Sequence, residues 1–164
     1  HKIKLIDETS ARLGISIIKS ELHDASVPDT GNEGKFDRVL LDAPCSGLGI
    51  VRRKPDIKWA RETEDIEDIT ELQKRLIETV SRLVRPGGVL VYSTCTILPE
   101  ENKNIVKSFL DMNNDFEADN IAPFIPSALA TRAEGCMLQI YPNIDGIDGF
   151  FIARMKRKEQ IWNS

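Results

Sequence analysis

The sequence is poor in the residues that build disulfide frameworks and metal centres. Its 164 residues include three cysteines and two histidines. Three cysteines cannot all pair within one chain, and none of them stands in a CxxC spacing, so neither a disulfide-rich domain nor a zinc site is expected. Free thiols of this kind are typical of a reducing compartment. We therefore predict no bound metal and a cytoplasmic location.

Long apolar runs and an excess of positive charge are also missing. No stretch approaches the roughly 20 apolar residues that cross a bilayer, so no membrane partner is expected. A net charge of -4 excludes binding to nucleic acid through overall positive charge. Such binding would need a local cluster, of which Arg52, Arg53 and Lys54 form one. The hydrophobic fraction of 41% is that of one ordinary globular domain.

The pattern of apolar residues predicts an α/β sheet that is mostly parallel and ends in an antiparallel hairpin. Helices are predicted over residues 3–13, with Gly14 as the C-cap, 64–84 and 99–112, and strands over 15–22, 36–43, 89–95, 136–142 and 149–157. The apolar run in 36–43 predicts a strand that is buried on both faces.

Two cysteines follow predicted parallel strands directly. Cys45 lies in "DAPCSG" and Cys95 in "STCT". Because ligands bind beyond the carboxyl ends of such strands, we expect both thiols to face one crevice, with Asp42 nearby. A free cysteine is more often a small buried hydrophobic residue, and this is the role expected for Cys136 in an apolar strand.

Two thiols and a carboxylate, without a histidine close in sequence, suit conjugate addition better than acyl transfer. A thiolate that attacks C6 of a pyrimidine makes C5 carbanion-like and able to take an electrophilic methyl group. A polar contact to the ring edge would stabilise the charge, and a second basic group would remove the C5 proton. A thiol-redox pair remains an alternative, although the CxxC spacing of common redox motifs is lacking.

Three segments resemble a known family. "DAPCSGLGIVRRKPDIKW" (42–59) and "YSTCTILPEEN" (92–102) resemble the signature segments of the RNA cytosine-5 methyltransferases that use S-adenosylmethionine, in particular the bacterial Sun/RsmB type acting on 16S ribosomal RNA. "DGFFIARM" (148–155) resembles their C-terminal strand motif. The resemblance implies a Rossmann-like methyltransferase fold, S-adenosylmethionine as cofactor and RNA, ribosomal in this type, as substrate.

The resemblance also implies roles for the residues of the crevice. Cys95 would be the covalent nucleophile toward C6, and Cys45 the helper thiol needed to break down the covalent intermediate. Asp42 would contact the polar edge of the target cytosine and lie near the methionine part of the cofactor.

Three further residues receive roles in the same way. Pro44 would shape the cofactor-side turn that presents Asp42 and Cys45. Asp24 would contact the adenine amino group of the cofactor. Arg53 would contact the RNA backbone or the active site, where an arginine fork can donate two hydrogen bonds to a phosphate.

The family's glycine-rich cofactor loop and the first strands of its sheet have no counterpart in the sequence. We therefore expect residues 1–164 to be the C-terminal part of a catalytic domain, with an incomplete cofactor site and little activity alone. Either strand 15–22 pairs directly with strand 36–43, or a second copy of the chain covers the exposed edge as a homodimer. The alternative function is a non-catalytic, methyltransferase-like module that binds RNA or protein. The sequence does not identify the cytosine, or distinguish ribosomal from transfer RNA.

Overall fold

The computed structural model describes residues 1–59 and 63–159. The helices are α1 (Lys2–Arg12), α2 (Thr63–Ser81), α3 (Lys103–Met112), α4 (Ser127–Ala130) and α5 (Pro142–Asp145), with 3-10 turns at Pro55–Trp59 and Ala122–Phe124. The strands are β1 (Phe36–Asp42), β2 (Val84–Thr94), β3 (Phe116–Ala118), β4 (Met137–Ile140) and β5 (Phe150–Arg157). None of the helices in these two ranges is long and apolar enough to cross a membrane.

The strands form one mixed sheet in the order β1-β2-β5-β3, and β4 also pairs with β5. β1 and β2 are parallel, as the crossover through α2 requires. β5 is antiparallel to β2, β3 and β4. The α/β class and the antiparallel C-terminal hairpin are confirmed. Fewer of the strand pairs are parallel than predicted, because β3 and β4 both pair antiparallel with β5. β4 pairs with the first half of β5 and β3 with its second half.

The core lies between the sheet and the helices α2 and α3. β5 alternates buried and half-buried residues, which is the period of a strand with one face on a core. The rings of Phe109 and Phe116 meet edge to face at 5.2 Å between centroids. Full burial of a large apolar side chain contributes about 1.5–3 kcal/mol, so this layer fixes the sheet on which the site is built. Buried residues shared by these elements include Leu76, Ile77, Val80, Leu90, Tyr92, Ile105, Val106, Ala153 and Met155.

The predicted helices are present, with different bounds. α1 ends at Arg12, and Gly14 follows with φ +69°, donating its N–H to the carbonyl of Ala11, as expected of a C-cap glycine. α2 ends at Ser81 because the chain must turn before β2 begins. α3 begins at Lys103 instead of 99, since residues 99–102 form a turn in which the side chains of Glu101 and Asn102 make buried polar contacts.

The strand predicted over 15–22 is wrong. These residues form neither strand nor bridge, and Ile17 is 92% exposed. Enrichment in β-branched residues favours a strand only where a neighbouring strand pairs with it. The predicted direct pairing with β1 is therefore also wrong, and coverage of the edge by a second copy stays a prediction.

The prediction that β1 is buried on both faces is wrong as well. β1 is an edge strand, and only Leu41 among its residues is buried. Leu40, which points to the opposite face, is 67% exposed. Continuous apolar sequence could not distinguish a strand covered on both faces from one that leaves one face open.

Candidate active site

Two half-buried thiols meet at the carboxyl ends of β1 and β2. The sulfur atoms of Cys45 and Cys95 are 3.2 Å apart, and both cysteines are free. The register of the parallel strands places Asp42 beside Ser93, whose hydroxyl donates to the Asp42 carboxylate at 3.1 Å. The structure therefore brings the two thiols together at this edge of the sheet, with Asp42 at the end of β1, as predicted.

A backbone crossing locks the Cys45 loop against the Cys95 loop. The N–H of Gly49 donates to the carbonyl of Cys95 at 3.0 Å, and the N–H of Gly149 donates to the carbonyl of Gly49 at 2.8 Å. A Cβ atom on Gly49 would lie 2.3 Å from the Gly149 carbonyl oxygen. Only glycine permits this approach, so the crossing ties the first cysteine segment to the start of β5.

Beneath the thiols lies a buried carboxylate that the sequence analysis did not identify. Glu101 is 0% exposed. It accepts hydrogen bonds from the Ser46 N–H at 2.8 Å, from Gln73 Nε2 at 3.0 Å and from the Ser46 hydroxyl. Gln73 lies on the apolar stripe of α2, and a polar residue at such a position is the sequence signal for a buried partner.

A second buried side chain fixes the residues on either side of Cys95. The Asn102 amide group donates to the carbonyl of Thr96 at 3.0 Å and to Gln139 Oε1 at 2.7 Å. Its carbonyl oxygen accepts from the Thr94 hydroxyl at 2.5 Å. Asn102 thus joins the end of β2 to β4 through directional contacts.

Cys45 and Cys136 both have a raised thiol pKa, for partly different reasons. Burial, followed by the hydrogen bond to Cys95 and its charge, raises the pKa of Cys45 to about 12. Cys45 is therefore a neutral thiol at physiological pH. Cys136 lies in the hydrophobic core as expected, and burial raises the pKa of its thiol.

The residues expected on the cofactor side are exposed. Pro44 presents its ring to solvent, while its carbonyl accepts from Gln73 Nε2 at 2.8 Å. Asp24 accepts from the N–H and the hydroxyl of Ser26, and these hydrogen bonds lower the pKa of its carboxyl group. Asp24 does not end a strand as predicted, since residues 15–24 form none. Its exposed carboxylate sits in a turn next to Ala25, which packs against the core.

The basic run is joined to the start of β5 by an ion pair. Arg53 Nε lies 2.5 Å from the carboxylate of Asp148, and Arg52 Nη2 lies 3.6 Å from it. The Arg52 Nη1 group also donates to the carbonyl of Gly146. The Arg53 side chain is still 72% exposed, so part of its guanidinium group faces solvent. Its contact with RNA stays a prediction.

Comparison with known proteins agrees with this arrangement. Residues 1–156 match the family model described as 16S rRNA methyltransferase RsmB/F. The chain belongs to this family. The "probable ribosomal RNA small subunit methyltransferase B" of Bacillus subtilis is 41% identical over 160 residues, which are 96% of this chain and 36% of that protein. The corresponding protein of Shewanella oneidensis is 38% identical, over 93% of this chain and 35% of its own.

A solved structure that is similar to this chain shows the same fold. NSun6 from Pyrococcus horikoshii, crystallised with SFG, superposes with a TM-score of 0.79 and 32% identity, covering 96% of this chain and 39% of that one. The fold is thus that of S-adenosylmethionine-dependent methyltransferases, represented here by a partial, five-stranded sheet. The chain spans about a third of the length of the curated relatives that it matches.

Proposed function

We propose that this protein transfers a methyl group from S-adenosylmethionine to C5 of a cytosine in RNA, with small-subunit ribosomal RNA as the substrate. Family membership supports methylation of ribosomal RNA. The observation that carries the cytosine-5 chemistry is the pair of free sulfurs 3.2 Å apart, beside Asp42 at the carboxyl ends of β1 and β2.

In this reaction Cys95 acts as the nucleophile. Its sulfur forms a bond to C6 of the cytosine, and the electron pair of the C5–C6 double bond moves onto C5 and into the ring. Asp42, which is exposed at the end of β1, would contact the polar edge of the base. Such a contact stabilises charge that develops on the ring in the transition state.

The exposed acceptors fit a bound S-adenosylmethionine in chemistry. Asp42 would accept from the ammonium group of its methionine part, beside the exposed Pro44, and Asp24 would accept from its adenine amino group. The cofactor supplies an electrophilic methyl group when it is bound. The NSun6 relative was solved with SFG, an S-adenosylmethionine analogue, which supports the same cofactor here.

Cys45 suits the release step because its environment changes once Cys95 has reacted. Its raised pKa has three causes: burial, the hydrogen bond to Cys95 and the charge on Cys95. The last two disappear when the Cys95 sulfur is bonded to carbon. Cys45 then loses its own proton to solvent more readily, and the resulting thiolate takes the proton from C5. The electron pair of that C–H bond re-forms the C5–C6 double bond, the C6–sulfur bond breaks, and Cys95 leaves as a thiolate.

Trapping on RNA tests this proposal. The complete gene product is incubated with S-adenosylmethionine and a 16S RNA fragment that contains 5-fluorocytosine, whose C5 fluorine cannot be removed as a proton. We expect a covalent protein–RNA complex on a denaturing gel that is lost in Cys95→Ala and kept in Cys136→Ala, the third thiol serving as the control. A complex that persists in Cys95→Ala would show that another residue is the nucleophile.

Cofactor binding by residues 1–164 alone is a separate prediction. We expect an incomplete site that binds S-adenosylmethionine weakly or not at all. Calorimetric titration of the 164-residue chain measures this directly, and low-micromolar affinity would contradict it. The same titration with RNA instead of cofactor would measure any binding activity that does not depend on catalysis.

A further inference from the structure

The carboxylate of Glu101 is buried without a cation among its hydrogen-bonding partners within residues 1–59 and 63–159. Two of its three contacts come from Ser46 and the third from the amide of Gln73. The Ser46 hydroxyl is also within 2.9 Å of the Thr96 hydroxyl. Burying a carboxylate is costly unless it is well compensated, and the hydrogen bonds from Ser46 and Gln73 supply this compensation.

The contacts of Glu101 converge on the two neighbours of Cys45. Ser46, which follows Cys45, is bound by Glu101 directly. Pro44, which precedes it, is bound through Gln73, whose amide nitrogen contacts both the Pro44 carbonyl and the Glu101 carboxylate. The backbone of Glu101 is itself fixed, because its carbonyl accepts from the buried Tyr92 hydroxyl at 2.7 Å. The Glu101 carboxylate therefore fixes both chain neighbours of Cys45, Ser46 directly and Pro44 through Gln73.

We propose that Glu101 is a positioning residue for Cys45 and thereby sets the rate at which the methylated base is released. This inference rests on the proposed function. In the release step Cys45 takes the C5 proton, the electron pair re-forms the C5–C6 double bond, and the C6–sulfur bond breaks to return Cys95 as a thiolate. A small displacement of Cys45 slows this step while attack by Cys95, whose loop is held by Asn102, continues.

The variant Glu101→Gln keeps the shape of the side chain and removes its charge. Hydrogen bonds to a charged acceptor are about twice as strong as neutral ones, and one oxygen becomes a donor that faces Ser46 or Gln73. With ordinary RNA and S-adenosylmethionine, we expect kcat to fall roughly ten- to hundredfold, the loss that small misplacement of a catalytic group causes. KM for RNA should fall together with kcat, because the slowed release step follows formation of the adduct, and the covalent protein–RNA adduct should accumulate during turnover.

Accumulation of the adduct separates positioning from a merely structural role, which would lower adduct and product together. Glu100→Gln is the matched control, since Glu100 is the neighbouring acid and is exposed; it should behave as the wild type. The double variant Glu101→Gln/Cys45→Ala should accumulate no more adduct than Cys45→Ala alone, because the effect of Glu101 passes through Cys45.

Three results would overturn the proposal. In the first, Glu101→Gln matches Glu100→Gln in kcat and in the amount of adduct. In the second, it loses adduct and product in proportion. In the third, the double variant accumulates more adduct than Cys45→Ala alone. If Glu101→Gln does not fold, Ser46→Ala takes its place, because it removes one of the three contacts of Glu101, together with the contact to Thr96, and keeps the carboxylate. It should show the same accumulation of adduct to a smaller extent, and wild-type levels of adduct would overturn the inference. Failure of the wild type to form a trapped complex with 5-fluorocytosine RNA would instead refute the proposed function.

Discussion

Replacing Gly49 with alanine tests whether the backbone crossing holds the site together. The added Cβ would lie 2.3 Å from the carbonyl oxygen of Gly149 and 2.7 Å from that of Cys95. Both atoms belong to the backbone, so neither can rotate away as a flexible side chain could. The loop that carries Cys45 must therefore move away from β5, from the Cys95 loop, or from both.

The size of the effect follows from the contacts that such a shift disturbs. Relief of the overlap in a packed region costs about 1–3 kcal/mol. The same movement lengthens the hydrogen bonds from Gly49 to Cys95 and from Gly149 to Gly49, each worth about 0.5–1.5 kcal/mol. We expect Gly49→Ala to lower the free energy of unfolding by about 2–6 kcal/mol, a large part of the roughly 5–15 kcal/mol that stabilises a typical domain.

Urea denaturation of the 164-residue chain, followed by circular dichroism, measures this change. The matched control is Gly31→Ala, because a Cβ there would meet its nearest atom, Asp29 Oδ1, at an ordinary 3.4 Å. We expect the control to stay within about 0.5 kcal/mol of the wild type. If Gly49→Ala unfolds at the same urea concentration as Gly31→Ala, the close crossing does not exist in solution and the reasoning about the loop is wrong.

Two further predictions concern buried groups near the thiols. Tyr92→Phe leaves the carbonyl of Glu101 without its hydroxyl donor. In the same assay it should lower the free energy of unfolding by about 1–3 kcal/mol. An unchanged value would mean that the 2.7 Å hydrogen bond contributes nothing to stability. The pKa of Cys45 is raised from 9.0 to about 12, so the unfolded chain loses this proton at a lower pH than the folded chain. The contribution of Cys45 to stability is therefore complete below pH 9.0 and should be lost as the pH rises toward 12. Unfolding measured against pH should show a shallower decline above pH 9.0 in Cys45→Ala, and identical slopes would contradict the shift.

The edge of the sheet that carries the candidate active site could be predicted because it depends on local sequence. An apolar strand followed by a polar turn recurs at Asp42 and at Cys95, and the carboxyl ends of neighbouring parallel strands meet at one edge. The pairing of β4 with β5 was predictable for a similar reason, since two short apolar strands flank a turn-rich segment. Both predictions needed only the order of elements along the chain.

The strand over 15–22 and the double burial of β1 failed because they depend on what lies beside a segment. Ile17 and Leu40 have the composition of core residues, yet both are exposed. Burial is decided by the elements that pack on each face, and a run of β-branched residues does not indicate which elements these are. β3 was not predicted for the same reason, since it is three residues long and pairs only because β5 offers an edge.

Glu101 and Gln73 were missed because their roles depend on partners that lie far away along the chain. Their contacts join residues 28 to 55 positions apart, and no local pattern predicts such pairs. The burial of these groups has a physical consequence for the site. Apolar contacts tolerate sliding, whereas hydrogen bonds in a water-poor interior lose strength steeply with distance and angle. The 3.2 Å separation of the two thiols is therefore better maintained by buried polar groups and a backbone crossing than by an apolar layer alone.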